Sequence, residues 1–328
     1  MRVKFLPHQP HCFAFGGFDL QMLNTLKAVQ DVGVNASKLD IWEKDADFEI
    51  LHVWGMGAHN FTTIDFAKKA GKLVVTTVLI PYYDTLRSRL GYYYRFFQVM
   101  SSIRAFKKID KIVVLNNLQL KILHRYYRVP TSKIDIIPNI VEDSFFKPPN
   151  FDFKKKYGIE KYVLCTGNIC ARKNQYNLAL ACINLKLNLV LIGNVLEGET
   201  MYGGKLSALE KHHQNIKWIW QLESGSDELV SAYYNCTVYA LPSNSETQPI
   251  GALEAVAMEK PLLLLDRKYA HQLFYNNAIL SKSGSVKSIE KALVNAINNC
   301  TSSKQNVEIF NCKKEKVGNL YKDLYENL

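Results

Sequence analysis

The second half of the chain alternates short apolar segments with segments of helical periodicity, and this alternation limits the possible folds more than any other feature. Buried strands are predicted at 162–166, 189–193, 217–220, 237–241 and 261–266. Between them, apolar residues recur three or four positions apart, as on one face of a helix, at 174–185, 205–213, 227–235 and 250–258. Alternating strands and helices predict βαβ units and a parallel, doubly wound sheet.

The first half of the chain follows the same pattern more loosely. Segments 49–54, 72–79, 111–115 and 134–138 are predicted strands, and 18–32 and 118–127 are predicted helices. A length of 328 residues suits two α/β domains better than one core. The loop at 139–149 predicts a linker, so we place the domains at 1–148 and 149–328. The helical pattern near the end of the chain is expected to pack across this boundary or on the first domain.

Composition and charge exclude several classes of protein. The seven cysteines include no CxxC pair, which argues against a zinc ribbon and a disulfide framework. No signal-length or bilayer-length apolar run occurs, so we expect a cytoplasmic protein. The net charge of +11 indicates an anionic partner: a nucleotide, an acidic membrane surface or a nucleic acid. Because zinc-finger spacing and aromatic-basic RNA motifs are absent, nucleic acid is the least favoured.

Two glutamates follow the predicted strand at 237–241. Because ligands of doubly wound sheets lie beyond the carboxyl ends of the strands, this is a candidate site. Pro249 marks a helix N-terminus, where free amides favour an anion such as a diphosphate. Glu246 precedes that helix and can reach sugar hydroxyls, whereas Glu254 lies in its first turns and can accept hydrogen bonds from a ribose diol. Glutamates at this spacing are more often solvated helix charges, so the surrounding residues decide between the two interpretations.

Basic and glycine-rich turns supply that context. Arg172 and Lys173 lie in a turn after the predicted strand at 162–166, where cations and donors can hold phosphate oxygens. Further upstream, Gly16 and Gly17 open the predicted helix at 18–32, so its free amides can approach a ligand without obstruction by a side chain. The alternative to a phosphate site is that Arg172 and Lys173 lie in an exposed basic turn and that Gly16 and Gly17 form an ordinary turn.

Together these segments resemble the large retaining glycosyltransferase family 4. The resemblance covers residues 16–26 loosely, 132–146 with the run Lys-Ile-Asp-Ile-Ile-Pro-Asn at 133–139, and nearly all of 162–266. It implies an α/β fold of the GT-B type, with two Rossmann-like doubly wound domains facing across a cleft. The first domain would bind the acceptor and the second the nucleotide-sugar.

The resemblance also implies roles for particular residues. Lys173, with Arg172, would hold the donor diphosphate, Glu246 would contact the transferred sugar, and Glu254 would contact the ribose. Gly17 would border the donor from the first domain. Since cations and helix-terminal amides can stabilise the leaving group, no metal or other cofactor is expected.

The chain departs from the family pattern at three places, and one of them is the absence of the histidine that the family often has after a strand such as 74–79. Asn168 stands where the family often has an arginine, which makes Arg172 a substitute for the lost cation. The common Gly-Phe-Gly after the first glutamate is replaced by Thr247-Gln248-Pro249, so we expect the Gln248 side chain to take over contacts to the sugar. Asn168, Gln248 and Ile250 are therefore included among the donor-binding positions.

The resulting hypothesis is retaining transfer of a sugar from a nucleoside-diphosphate sugar to a glycan or lipid-linked acceptor, as in surface polysaccharide or glycolipid synthesis. Two alternatives stay open. One is a GT-B sugar-nucleotide epimerase, and the other is a non-catalytic sugar-nucleotide-binding partner of another transferase.

A basic and aromatic segment at 87–111 suggests where such an enzyme would work. Its cations outnumber a single acid, Asp110, and are interleaved with aromatic residues: Arg87, Arg89, Arg95, Arg104, Lys107, Lys108 and Lys111, with Tyr92, Tyr93, Tyr94, Phe96 and Phe97. A helix of this composition can lie on an anionic membrane surface. The equally weighted alternative is that the rings pack in the core while the cations face water. The membrane interpretation predicts peripheral attachment to the cytoplasmic face.

Overall fold

Two compact α/β units make up the chain. The computed structural model describes residues 1–13, 15–44, 46–80, 82, 96–298 and 306–328, with only the backbone for 58 and 96–101. One unit comprises Met1–Ile140 and Asn311–Leu328, and the other Val141–Phe310. Each is built on a six-stranded sheet whose strand pairs are all parallel. This confirms the predicted α/β class with two doubly wound sheets.

The first unit contains six strands and the helices that cover them. The strands are β1 (Arg2–Leu6), β2 (Asn35–Lys38), β3 (Ile50–Trp54), β4 (Leu73–Thr77), β5 (Lys111–Val114) and β6 (Ile134–Ile136). The helices are α1 (Gly17–Asp31), α2 (Ala58–Lys69), α3 (Phe96–Lys108), α4 (Asn117–Tyr127) and, from the end of the chain, α11 (Lys314–Glu326). The strand order is β2-β1-β3-β4-β5-β6.

Helix α11 is held in the first unit by close packing and by a buried polar cluster. A Cβ on Gly318 would lie 2.6 Å from the carbonyl oxygen of Ala28 in α1, so the two helices approach more closely than a side chain permits. The imidazole of the buried His52 in β3 forms hydrogen bonds with the hydroxyls of Tyr325 (2.6 Å) and Thr77 (2.9 Å). Burial lowers the pKa of His52 to about 3, so the ring is neutral. The terminal helix therefore completes the core of the first unit.

The second unit contains the other sheet. Its strands are β7 (Val163–Thr166), β8 (Leu189–Ile192), β9 (Ile216–Ile219), β10 (Val238–Leu241), β11 (Leu262–Leu265) and β12 (Ile279–Ser281). Its helices are α5 (Phe153–Tyr157), α6 (Gln175–Asn184), α7 (Thr200–His212), α8 (Asp227–Asn235), α9 (Ile250–Ala257) and α10 (Val286–Asn298). In the strand order β12-β11-β10-β7-β8-β9, the direction of winding reverses between β7 and β10. Ligands of such sheets bind at the carboxyl ends of the strands beside this switch point.

The structure divides the chain between Ile140 and Val141, ahead of the predicted boundary at residue 148. The segment after Val141 belongs to the second unit because it supplies a buried aromatic side chain to that core. The Phe145 ring is fully buried and lies edge-on to Tyr233 of α8, with ring centroids 5.3 Å apart. Polar residues and prolines around 148 suggested a linker, but a single buried phenylalanine ties the preceding turn to the second unit.

The segment predicted to meet a membrane is described only in part. Arg87, Arg89, Arg95 and Tyr92, Tyr93 and Tyr94 lie outside the described residues, and Phe96 and Phe97 are described by their backbone alone. Arg104, Lys107 and Lys108 are exposed on α3, and Lys108 forms an ion pair with Asp65 at 2.5 Å. Within the described residues, no helix combines the length and apolar character needed to cross a membrane.

Candidate functional site

Two loops at the switch point bring Arg172, Lys173 and Glu246 together. Ala171–Lys173 is a single 3-10 turn between β7 and α6, and Glu246 lies between β10 and α9. The carbonyl oxygen of Arg172 accepts hydrogen bonds from the backbone N–H of Asn244 (2.8 Å) and the hydroxyl of Ser243 (3.2 Å). The Arg172 guanidinium in turn donates to the carbonyl oxygen of Ser245. The two loops are therefore fixed to each other by backbone as well as side-chain contacts.

These three side chains form a compact charged cluster. Oε1 of Glu246 lies 2.7 Å from Nη1 of Arg172 and 3.4 Å from Nζ of Lys173. Burial opposes ionisation of Glu246, whose side chain is 12% exposed, but Lys173 and Arg172 outweigh it and hold the pKa of the carboxyl below its ordinary value. Two cations against one carboxylate leave one positive charge, which suits an anionic ligand.

Two glycines allow the backbone to pack closely beneath Lys173. Gly167 has a φ of +105°, and a Cβ there would lie 2.9 Å from Nζ of Lys173. Gly193, after β8, has a φ of +149°, and a Cβ there would lie 2.3 Å from the carbonyl oxygen of Gly167. The turns that follow β7 and β8 are therefore in direct contact, with the Lys173 side chain lying over the first of them.

Asn168 is placed in the same turn, beside a residue that sequence analysis missed. Gln175, the first residue of α6, is fully buried. Its amide nitrogen donates to the carbonyl oxygen of Asn168 (2.9 Å), and its amide oxygen accepts from the N–H of Cys170 (3.4 Å). A glutamine near the start of the helix predicted at 174–185 is the sequence signal that could have indicated these hydrogen bonds to the basic turn.

Glu254 is separate from the charged cluster and belongs to a buried hydroxyl network. Its Oε2 accepts a hydrogen bond from the Tyr233 hydroxyl at 2.6 Å, and that hydroxyl lies 2.6 Å from Oγ1 of Thr166. Thr166 is also 3.2 Å from the hydroxyl of Tyr239. A Cβ on Gly251 would lie 2.4 Å from that same hydroxyl, so the network requires glycine in α9. Neither tyrosine was predicted as part of the site.

The remaining predicted positions have plainer surroundings. Gln248 is buried, and its amide nitrogen donates to Oε1 of Gln272 at 3.2 Å. Ile250 is the first residue of α9, directly after Pro249. Gly17 is the first residue of α1 in the first unit, where a Cβ would meet no atom within 4 Å. Within the described residues, no three His, Cys, Asp or Glu side chains are grouped as metal ligands.

The environment of Glu254 predicts a pH-dependent stability. Burial raises the pKa of Glu254 to about 7, against the opposing hydrogen bond from Tyr233. The folded chain therefore holds a proton that the unfolded chain releases, and this contribution to stability is lost as pH rises from about 4.5 to about 7. In Glu254→Gln this loss is absent. We therefore expect the free energy of unfolding of Glu254→Gln minus that of the wild type to increase from pH 5 to pH 8, by up to about 3 kcal/mol.

Urea unfolding at the two pH values measures this difference. Glu160→Gln is the matched control, because Glu160 lies in the same unit with its side chain 86% exposed. The control should follow the wild type at both pH values. If Glu254→Gln also follows the wild type, Glu254 is not protonated in the folded chain at neutral pH.

Two family models together match most of the chain. The model described as "Glycosyltransferase Family 4" matches residues 20–145, and the model described as "Glycosyl transferases group 1" matches residues 147–309. The first match falls on the first sheet, and the second covers the charged cluster and the hydroxyl network. A comparison with curated protein sequences gives no significant match.

Solved structures share the fold at low sequence identity. HepE from Anabaena, in complex with UDP, is 13% identical with a TM-score of 0.73, and the match covers 100% of both chains. Sucrose-phosphate synthase from Thermosynechococcus elongatus is 12% identical with a TM-score of 0.74, covering 100% of this chain and 99% of that one. UDP-GlcNAc 2-epimerase from Methanocaldococcus jannaschii is 11% identical with a TM-score of 0.59, covering 100% of both. The two family matches and the shared GT-B fold show that the chain belongs to the family 4-type glycosyltransferases.

Proposed function

We propose that this chain transfers a sugar, with retention of anomeric configuration, from a nucleoside-diphosphate sugar to a hydroxyl acceptor. The observation that carries the proposal is the cluster of Arg172, Lys173 and Glu246 at the carboxyl ends of β7 and β10. Its surplus positive charge suits a diphosphate, and its carboxylate suits sugar hydroxyls. Retention rests on the resemblance to family 4.

The cluster can supply the electrostatic part of the reaction. As the bond between the sugar and the diphosphate breaks, negative charge develops on the leaving phosphate oxygen, and Lys173 and Arg172 would stabilise it. Glu246, held ionised by the same cations, would accept hydrogen bonds from hydroxyls of the transferred sugar. Glu254 would accept a hydrogen bond from the ribose. We propose that these roles require no metal ion.

Two alternatives are kept as outcomes of the test. A sugar-nucleotide epimerase is favoured by one observation, the fold shared with UDP-GlcNAc 2-epimerase from Methanocaldococcus jannaschii. A non-catalytic binding partner is favoured by Asn168, which stands where the family often has an arginine. HepE, in contrast, is described in complexes with UDP, with UDP and glucose, and with UDP-glucose. This supports a nucleotide-sugar as the donor of the present chain.

The proposal is tested by incubating the protein with UDP-, GDP-, ADP- and dTDP-sugars. First, the melting temperature is measured for each, because a ligand that binds the native state raises it by mass action. Second, the ligands that bind are followed for release of the nucleoside diphosphate. Stabilisation with release supports the transferase. Stabilisation without release indicates the binding partner, and an altered sugar on an intact nucleotide indicates the epimerase.

The acceptor is proposed to be a glycan or a lipid-linked glycan, in the synthesis of a surface polysaccharide or glycolipid. The basic surface of α3 supports this, because an enzyme acting on a lipid-linked acceptor benefits from a membrane-facing surface. Arg104, Lys107 and Lys108 are exposed on one helix, and each cation near an anionic leaflet contributes roughly 1 kcal/mol. We therefore propose a cytoplasmic enzyme attached peripherally to the inner face of the membrane.

Attachment predicts that the protein sediments with anionic but not with neutral liposomes at low salt. Reversing the charge of Arg104, Lys107 and Lys108 to glutamate should abolish sedimentation. The matched control reverses Lys147, Lys155 and Lys161, three exposed lysines of the second unit, and should sediment as the wild type does. A wild-type protein that stays in the supernatant with anionic vesicles contradicts the attachment.

A further inference from the structure

The carboxyl end of β9 carries a pair of stacked tryptophans that the proposed roles do not use. The rings of Trp218 and Trp220 are stacked, with centroids 5.2 Å apart and nearly parallel planes at an interplanar angle of 3°. Trp218 is 7% exposed, whereas Trp220 is 63% exposed. Trp220 therefore packs one face of its ring on its neighbour and leaves most of its surface to solvent. Burial in the core does not explain a tryptophan in this position.

The buried member of the pair is fixed in orientation. The indole N–H of Trp218 donates to the carbonyl oxygen of Gly193 at 2.8 Å, and its backbone N–H donates to a carboxylate oxygen of Glu210 at 2.8 Å. Both indole and backbone are thus held, one by the turn after β8 and the other by α7. Because Trp220 stacks on this fixed ring, its own plane is set before any ligand binds, which reduces the entropy lost on binding.

A short chain of contacts joins the tryptophan pair to the charged cluster. Gly193, the acceptor of the Trp218 indole, lies against Gly167, since a Cβ on Gly193 would come within 2.3 Å of the Gly167 carbonyl oxygen. Gly167 in turn lies beneath the ammonium group of Lys173. The three turns after β7, β8 and β9 therefore form one continuous edge. The cluster that suits a diphosphate lies at one end of this edge, and the exposed indole lies at the other.

We propose that the exposed face of Trp220 is a stacking platform for the nucleobase of the donor. This inference rests on the proposed function, because it assumes that a nucleoside diphosphate occupies the charged cluster. A nucleotide has an anionic end and a flat aromatic end, and this edge offers cations and a flat indole in matching order. Base stacking on an aromatic ring tolerates any base, so Trp220 contributes affinity for the nucleoside without selecting among uracil, guanine and adenine.

The test compares Trp220→Ala and Trp220→Phe with the wild type, using UDP, GDP, ADP and inorganic pyrophosphate as ligands. Trp220→Ala is expected to weaken binding of each nucleotide roughly 5- to 150-fold, the range for loss of one stacked base. Trp220→Phe keeps an aromatic face and should stay within a few-fold of wild type. Pyrophosphate, which has no base, should bind all three proteins equally. Trp42→Ala is the matched control, because Trp42 is an exposed tryptophan of the first unit.

The outcomes separate this inference from the function on which it rests. If the wild type binds nucleotides and Trp220→Ala binds them equally well, the platform is wrong while the proposed function stands. If Trp220→Ala loses nucleotide and pyrophosphate affinity by the same factor, Trp220 supports the turn and does not stack on a base. If the wild type binds UDP, GDP and ADP no more tightly than pyrophosphate, the base contributes no affinity and the platform is overturned, while release of nucleoside diphosphate from the sugar donors decides the proposed function. Thermal unfolding of each variant distinguishes loss of binding from loss of the folded structure.

Discussion

Lys173→Ala is expected to reduce kcat/KM for the donor roughly 10- to 150-fold or more while the protein remains folded. In the proposed function the lost contact is a charge-assisted hydrogen bond to phosphate, which is worth about 1.5–3 kcal/mol and more where water is excluded. The side chain lies over the glycine turn after β7, and its ammonium is 3.4 Å from Glu246. Removing the Lys173 side chain takes away one of the two cations of the cluster and breaks no backbone hydrogen bond.

Steady-state kinetics at subsaturating donor measure the effect, and two other variants bracket it. Arg172→Ala tests whether arginine replaces the cation lost at Asn168, and a comparable decrease is expected because Arg172 contacts the same carboxylate oxygen at 2.7 Å. Lys211→Ala removes an exposed lysine near the end of α7 and should leave the kinetics unchanged. Wild-type kinetics for both Lys173→Ala and Arg172→Ala would show that the diphosphate binds elsewhere.

Glu246→Gln is expected to lower kcat by roughly 10- to 150-fold with little loss of affinity for the free nucleoside diphosphate. Glutamine keeps the shape of the side chain but removes the charge that, in the proposed function, accepts hydrogen bonds from sugar hydroxyls. Hydrogen bonds to charged groups are worth about 1.5–3 kcal/mol. The change also relieves Arg172 and Lys173 of their carboxylate partner, so the cluster becomes more positive. A diphosphate should bind at least as well as before.

The comparison with Glu254→Gln makes the assignment specific. Glu254 lies outside the charged cluster, where it accepts a hydrogen bond from Tyr233. Because it is proposed to contact the ribose and not the transferred sugar, its variant should weaken binding of the free nucleotide and affect turnover less. Titration of each variant with UDP or GDP, together with kcat for the donor, separates the two effects. Equal losses of nucleotide affinity in both variants would remove the division of roles between sugar and ribose.

The sequence predicted the parts of the site that depend on strand order. Arg172, Lys173 and Glu246 follow strands that a doubly wound sheet places side by side, and the structure brings their charges into contact. The start of α9 at Ile250, directly after Pro249, could be read from the proline because proline is favoured at helix N-termini. The first case combines a local pattern with the strand order of doubly wound sheets, and the second follows from a local preference of proline alone.

Other parts of the structure depend on pairings between distant residues that leave no local pattern. The hydrogen bond between Tyr233 and Glu254 joins two helices, and a lone tyrosine in a predicted helix gives no sign of such a partner. The boundary near Val141 is set by burial of Phe145, which a polar, proline-rich stretch concealed. Trp218 in β9 and Trp220 just after its end are two positions apart, so an extended chain places both rings on one side, but the exposure of the second ring depends on which residues cover that edge of the sheet.

Proton NMR of the reaction products tests most directly whether the chain transfers a sugar from a nucleoside-diphosphate sugar. The protein is incubated with UDP-, GDP-, ADP- and dTDP-sugars in water and with an added alcohol as acceptor. We predict that at least one donor yields a free nucleoside diphosphate and a first-formed sugar product with the anomeric configuration of the donor, and that Lys173→Ala greatly slows this reaction. Donors that all stay intact, or a sugar epimerised while still attached to its nucleotide, would contradict the claim.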